Sequence, residues 1–234
     1  KFQPGMTHTL FNNLVLPYEP QGSRIDEFYR NGQNLTNTIT VGASDDKGGI
    51  HLSFANLKST GIVDGNSFDR KTINLGFSYN LSPKLSFRGN VNYSNEYNKN
   101  PPNVGNQDNT IPTSIMAMAN SMPLSVLRDN KYDAFGNENV YSRFRNRTNP
   151  YFVVSDQFHN IRRDRIFGNI SAKYSFTKWL YLQGRIGQDY WSRDEDYNNF
   201  PTGQASLAAA PAGFVNGSYT QEQRRFREVN ADFL

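Results

Sequence analysis

The sequence predicts an all-β fold, a transmembrane, antiparallel, up-and-down β-barrel of which this chain carries about seven strands with long extracellular loops. Three observations predict it. Apolar and polar residues alternate over runs of about ten or more positions, where soluble strands usually stop at five or six. The connections alternate between short and long. Aromatic residues gather near the ends of the runs, where lipid headgroups would begin.

Composition sets the frame. Of the 234 residues, 36% are hydrophobic, yet 14% are aromatic, with 17 Phe and 13 Tyr, and mean hydropathy is −0.71. A disordered polar chain would not carry so many rings. Thinly but regularly spaced apolar residues suit strands with one wet face. The formal net charge is +4, and the basic clusters sit beside no RNP-like or helix-turn-helix pattern, so no nucleic-acid partner is expected. The absence of cysteine removes disulfides and thiolate metal sites. No apolar run reaches the roughly eighteen residues of a membrane helix, which leaves strands as the means of crossing. The residues from Lys1 do not read as a signal peptide, as expected of either a matured or an incomplete chain.

Residues 1–32 hold Pro4, Pro17 and Pro20 and no sustained period; they read as an extracellular loop with a helical turn near Ile25–Tyr29. Residues 33–94 read as barrel strands. Leu35, Ile39, Val41 and Ala43 oppose Asn34, Thr36, Thr38 and Thr40; a turn at Ser44–Gly49 follows, then Ile50, Leu52 and Phe54 oppose His51, Ser53 and Ala55. The clearest alternation is Ile73, Leu75, Phe77, Tyr79 and Leu81, closed by Ser82-Pro83-Lys84 and answered by Leu85, Phe87, Val91 and Tyr93.

Residues 95–163 read as a long extracellular loop with a short helix near 114–122, where Ile115, Met118, Ala119 and Met122 share a helical face, Thr113 or Ser114 caps and Pro123 stops. Residues 164–191 read as a barrel hairpin, 192–223 as an extracellular loop, and 224–234 as the start of the next strand. Tyr79, Phe176 and Trp179 lie by short turns, and Tyr93, Tyr97, Tyr190 and Trp191 by long loops, as two aromatic girdles would require.

Several stretches resemble the early barrel of SusC/RagA-type transporters. These are Ile25–Gly32 followed by a strand, the run from Phe54 ending in Ser59–Val63, Asn149–Val154, Arg162–Ser171, and Trp179–Arg185, in the family's order over most of residues 23–191. The resemblance implies an outer-membrane barrel of about 22 strands, plugged by an N-terminal domain and capped by a SusD-like lipoprotein. It further implies opening by a TonB complex and import of oligosaccharides or peptides. Nothing in the chain matches the plug or the TonB-contacting segment. Seven strands cannot close such a pore, so the sequence is expected to be an internal portion of a longer chain.

On this reading Ile73, Leu75, Phe77, Tyr79, Leu182 and Ile186 face the membrane. Arg88, Asn90, Asn92, Gln183, Arg185 and Asp189 face the lumen, where they contact substrate or plug or simply keep a wet wall wet. Tyr132, Phe135, Tyr141, Arg143 and Arg145 are candidate contacts for the lid protein. The clusters Arg143, Arg145, Arg147 and Arg162, Arg163, Arg165 suit outer-membrane lipid or lipopolysaccharide phosphates, or plain solvation. No enzyme site, metal or cofactor is expected: His8, His51 and His159 lack ligand spacing, Asp45-Asp46 near Gly48 is a turn, and the sequons at Asn34, Asn80, Asn92 and Asn169 lie in or beside strands. The alternatives are a passive porin, a barrel enzyme using His51 as the only strand histidine, or a soluble β-sandwich binding domain.

Overall fold

A strand needs an apolar residue only at every second position to give one oily face, and that period organises most of this molecule. The computed structural model describes residues 2–10, 13–101, 110–139, 148–198, 201–204 and 216–234. A hairpin of β1 (Thr7–Thr9) and β2 (Val15–Pro17) and one helical turn, α1 (Arg24–Phe28), come first. The long strands are β3 (Gln33–Asp45), β4 (Gly48–Thr60), β5 (Ser67–Ser82), β6 (Leu85–Lys99), β7 (His159–Ser175), β8 (Tyr181–Tyr197) and β9 (Thr220–Phe233). Each pairs antiparallel with its neighbour in sequence, giving a seven-stranded meander ordered β3 to β9. The sheet is open, with β3 and β9 as its edges.

One end of the sheet is trimmed by side chains that cap their own turns. Asp45 Oδ1 accepts from the backbone N–H groups of Lys47 and Gly48 at 2.9 Å each. Ser82 Oγ accepts from Lys84 and Leu85, and Thr177 Oγ1 from Leu180 at 3.0 Å. Asp, Ser and Thr do this because their short oxygens reach the backbone two or three residues on. The other end carries the connections 61–66, 100–158 and 198–219.

There the chain builds a small cap with its own core. Its helices are α2 (Ile111–Ala117), α3 (Leu124–Asp129) and α4 (Pro150–Asp156). Ile115, Met118, Met122, Leu124 and Leu127 form a buried cluster against which Leu10, Phe28, Tyr29, Ile111 and Tyr151 pack. Arg24 ties the N-terminal residues to this cluster, donating to the Met118 carbonyl and, at 2.8 Å, to Asn120 Oδ1. Asn149 is the keystone. Fully buried, it caps α4 by accepting from the Tyr151 N–H, donates to the Leu127 carbonyl at 2.9 Å, and its own N–H meets Glu138 Oε1 at 2.7 Å.

Three sequence expectations change here. The helix expected at 114–122 with Thr113 or Ser114 as cap is shorter and starts earlier, over Ile111–Ala117 with Thr110 at the N-cap position, because the chain turns extended at Met118; a second helix, α3, starts after Pro123, and Met118 and Met122 still reach the core from outside both helices. α4 falls inside the expected loop, announced by an Asn cap and Pro in the first turn. Strands β6, β7 and β8 extend to Lys99, from His159 and to Tyr197, beyond the expected limits at 94, 164 and 191, and β9 starts at Thr220 rather than at 224.

Candidate functional site: the polar face of the sheet

Strand register sorts the side chains into two faces. On one, Val41, Leu52, Leu75 and Val91 stand opposite one another, flanked by the row Ile39, Phe54, Ile73, Tyr93, Ile166 and Tyr190 and by the row Ala43, Ile50, Phe77, Gly89, Ile170 and Ile186. One step further toward the cap the same face becomes Asn37, Asn56, Lys71, Asn95, Asp164 and Ser192. The apolar band therefore ends along a line. Ile73, Leu75, Phe77, Tyr79, Leu182 and Ile186 all lie within it. No helix or second sheet packs across this face among the described residues. Ile39 is 68% exposed and Ile186 56%.

The opposite face is polar and graded. Over β3 to β5 it is mostly neutral, built from Thr36, Thr38, Thr40, Ser53, Thr72, Asn74 and Ser78 with Arg70 at its cap-side end, and Thr40 donates to Ser53 at 3.0 Å. His51 lies here with its ring across Gly76, where a Cβ would come within 2.0 Å of it, so any larger residue at 76 would displace the ring. A recess of about 470 Å³ opens beside them, lined by Gly42, Gly49, His51, Gly76, Ser78 and Asn90.

Over β6 to β9 the face is charged. Arg165 grips Asp189 with two parallel bonds, Nε to Oδ1 at 2.9 Å and Nη2 to Oδ2 at 2.5 Å, and Arg185 holds Asp232 at 2.6 Å. Asn169 donates to Asn90 Oδ1 at 2.8 Å. Arg88, Asn90, Asn92, Gln183, Arg185 and Asp189 all project onto this face, Arg88 and Arg185 on either side of Ser171. Their partners Arg165, read in the sequence as part of a basic cluster, and Asp232 are not among the lumen candidates, although both keep the odd–even phase of those residues.

Nearer the cap, Glu195 is almost fully buried between His159 Nε2 at 2.5 Å and Arg193 Nη2 at 2.7 Å. Arg163 lies over the Trp191 indole with its guanidinium carbon 5.5 Å from the ring centre, and Trp191 stacks on Phe226 at 5.9 Å. These placements correct three expectations. Trp191 belongs to the polar face and not to an outer girdle, whereas Tyr93, Tyr97 and Tyr190 are on the apolar side. Arg162 points to the face opposite Arg163 and Arg165, because successive strand residues alternate, so the three cannot act as one cluster. His159 is a strand residue, and His51 is not alone in that.

On the cap, Phe135 is 89% exposed at the tip of a turn, and Tyr132 is half exposed with its hydroxyl donating to Asp156 Oδ2 at 2.9 Å. Partial burial and that carboxylate raise the Tyr132 pKa above the ordinary phenol value. Tyr141, Arg143, Arg145 and Arg147 lie outside the described residues. Among the described residues no three His, Asp or Glu side chains are placed to hold a metal, and no helix is long and apolar enough to cross a membrane, which says nothing of strands.

The architecture thus defines an open antiparallel meander of long strands with one apolar face, one polar face and a helical cap on the long-connection end. Among solved structures it is similar to chains of the RagAB peptide importer. It matches the importer in its open-open state with TM-score 0.61 at 15% identity, over 89% of this chain and 22% of that one. For the closed-closed state the values are 0.63 and 14%, over 98% and 24%. A third structure, of the RagAB peptide transporter, gives 0.57 and 15%, over 89% and 22%. At these identities the likeness is one of fold, and this chain spans under a quarter of the length of those chains. No family model and no curated protein matches the sequence.

Proposed function

We propose that this sheet is part of the wall of an outer-membrane β-barrel that imports nutrients, of the SusC/RagA type. The observation that carries the reading is the exposed apolar band, bounded by a line of polar residues and covered by no other element among the described residues. In water such a band would drive aggregation; in lipid it is at rest. In β6 it runs from Leu85 to Tyr93, roughly 26 Å at about 3.3 Å per residue. Tilted as barrel strands are, it stands about 20 Å tall, close to the roughly 25 Å apolar belt of such proteins.

Lipid also dictates closure. The edges β3 and β9 would each leave a row of unpaired amides in hydrocarbon, at several kcal/mol per group, so further strands complete the wall and the polar face lines a wet interior. The likeness to RagAB peptide importer chains supports peptides as cargo, with oligosaccharides as the alternative within the same transporter type. On this reading a SusD-like lipoprotein sits over the cap, where Tyr132 and Phe135 are exposed. A TonB complex supplies energy through a plug, and the wall performs no covalent chemistry.

The chain has no cysteine, which makes the test direct. Single substitutions Leu75→Cys and Asn74→Cys are introduced into the full-length polypeptide in cells. A membrane-impermeant maleimide is expected to label Asn74→Cys and spare Leu75→Cys, and uptake of a fluorescent peptide is expected to stop when a protonophore collapses the proton gradient. Equal labelling of the two positions refutes the membrane placement, and uptake indifferent to the gradient refutes energised import.

A further inference from the structure

On β7, β8 and β9, Arg163, Arg193 and Arg224 stand directly opposite one another on the polar face. Like charges in register on neighbouring strands repel and destabilise a sheet. Two of the three have carboxylate partners: Arg193 meets Glu195 at 2.7 Å and Arg224 meets Glu222 at 2.5 Å. Arg163 does not. Its register partner on the other side is Glu96, yet among the described residues no carboxylate lies within ion-pair distance of it, and its guanidinium lies instead across Trp191. One row below, Trp191 and Phe226 are register partners and form a flat stacked shelf, Phe226 being 40% exposed on a largely polar face that also carries Phe167. A recess of about 320 Å³ is lined by Phe68, Glu96, Ile161, Arg163, Trp191 and Arg193, with Phe226 reached across Trp191 rather than in its wall.

We propose that Arg163, with Trp191 and Phe226, forms a seat for the carboxylate end of a short peptide carrying an adjacent apolar side chain. A guanidinium laid on an indole keeps its planar fork exposed to an incoming carboxylate, and an anion arriving there relieves the repulsion along the arginine row. The aromatic shelf and Ile161 receive the apolar side chain, and Glu96, on the far side of Arg163, disfavours a second negative charge. The inference rests on the transporter reading, which turns this face toward passing cargo, and it adds the chemical feature by which that cargo is held.

The test uses the full-length protein purified in detergent, titrated calorimetrically with a tripeptide ending in phenylalanine, with the same peptide as its C-terminal amide, and with an oligogalacturonate. The free acid is expected to bind about tenfold or more tightly than the amide. Arg163→Gln is expected to abolish that difference without lowering thermal stability, since it removes a charge from a repelling row, and Arg163→Lys to restore it in part. Trp191→Ala is expected to weaken acid and amide alike. Equal binding of acid and amide by the unaltered protein overturns the proposal, as does tighter binding of the oligogalacturonate than of the free acid, or loss of stability in Arg163→Gln equal to its loss of binding. If cysteine labelling holds while the acid and amide bind equally, only the seat falls; if Leu75→Cys is labelled, the transporter reading falls whatever the peptide does.

Discussion

Leu127 in the cap is wholly buried and Ile39 in the sheet is 68% exposed, although both are branched aliphatic side chains on regular elements of one chain. Every buried apolar side chain among the described residues lies in the connections, in Val63, Ile115, Met118, Met122, Leu124, Leu127, Phe152 and Val153, and none lies in the sheet. The cap follows the rules of a water-soluble core, in which helices bury an apolar stripe against each other. The sheet follows the inverse rule and presents its apolar side outward. Under the proposed membrane placement two solvents account for the two rules, since the cap must exclude water by itself while lipid would cover the band.

The largest effect that sharpens this contrast is expected in the cap. Phe152 is fully buried and packs edge-on to Tyr132 at 5.9 Å. Phe152→Ala should cost about 3–5 kcal/mol, the usual loss when a buried ring is replaced by a cavity. Hydrogen exchange resolved by segment should show α3 and α4 opening while β5 and β6 keep their protection. If protection in the sheet falls equally, cap and sheet are one cooperative unit and the division drawn between them is wrong.

A somewhat smaller effect separates the two faces of the sheet. Leu75 and Asn74 are adjacent, so their side chains point to opposite sides. In the full-length protein folded into lipid vesicles, Leu75→Arg should destabilise by about 2–4 kcal/mol. Asn74→Arg should stay within about 0.5 kcal/mol, as a surface change does. Denaturant titration of the pair reads the difference. Matching costs would mean that both faces meet the same medium.

The two faces explain what can be read without coordinates. Where one face is apolar and the other polar, as along Ile73–Leu81, hydropathy alternates and the strand is plain in the sequence. Nearer the cap both faces are wet: Asn95 and Glu96 point to opposite sides, as do Arg163 and Asp164, so the strand continues with no alternation to mark it. That is why β6, β7 and β8 were read short. The lumen candidates Asp189 and Arg185 are legible from phase alone, but their pairing with Arg165 and Asp232 emerges only through register across strands. The cap was least legible, because its core joins residues 10, 28 and 115–127 by contacts that no local period records, although the Asn149-Pro150 start of α4 was open to reading.

The smallest effect bears on the cap's outer turn. Asp133 Oδ1 accepts from the backbone N–H groups of Phe135 at 2.8 Å and Asn137 at 2.9 Å, and the Asn137 bond above all draws its carboxyl below the ordinary value. A carboxylate whose folded pKa is depressed stabilises its turn above the unfolded value of about 3.9, and that contribution is lost as pH falls through the lower folded value. The turn exposes Phe135, so an acid protease that cuts at aromatic residues reports its opening. Between about pH 5 and about pH 2, cleavage after Phe135 should rise in the native sequence relative to Asp133→Asn, whose side chain keeps an acceptor oxygen but cannot titrate. A constant ratio would mean that the backbone pairing of Asp133 N–H with the Asn137 carbonyl at 2.8 Å holds the turn by itself. The cap's rigidity would then owe nothing to charge, leaving the charged half of the sheet as the part of the molecule where electrostatics sets the geometry.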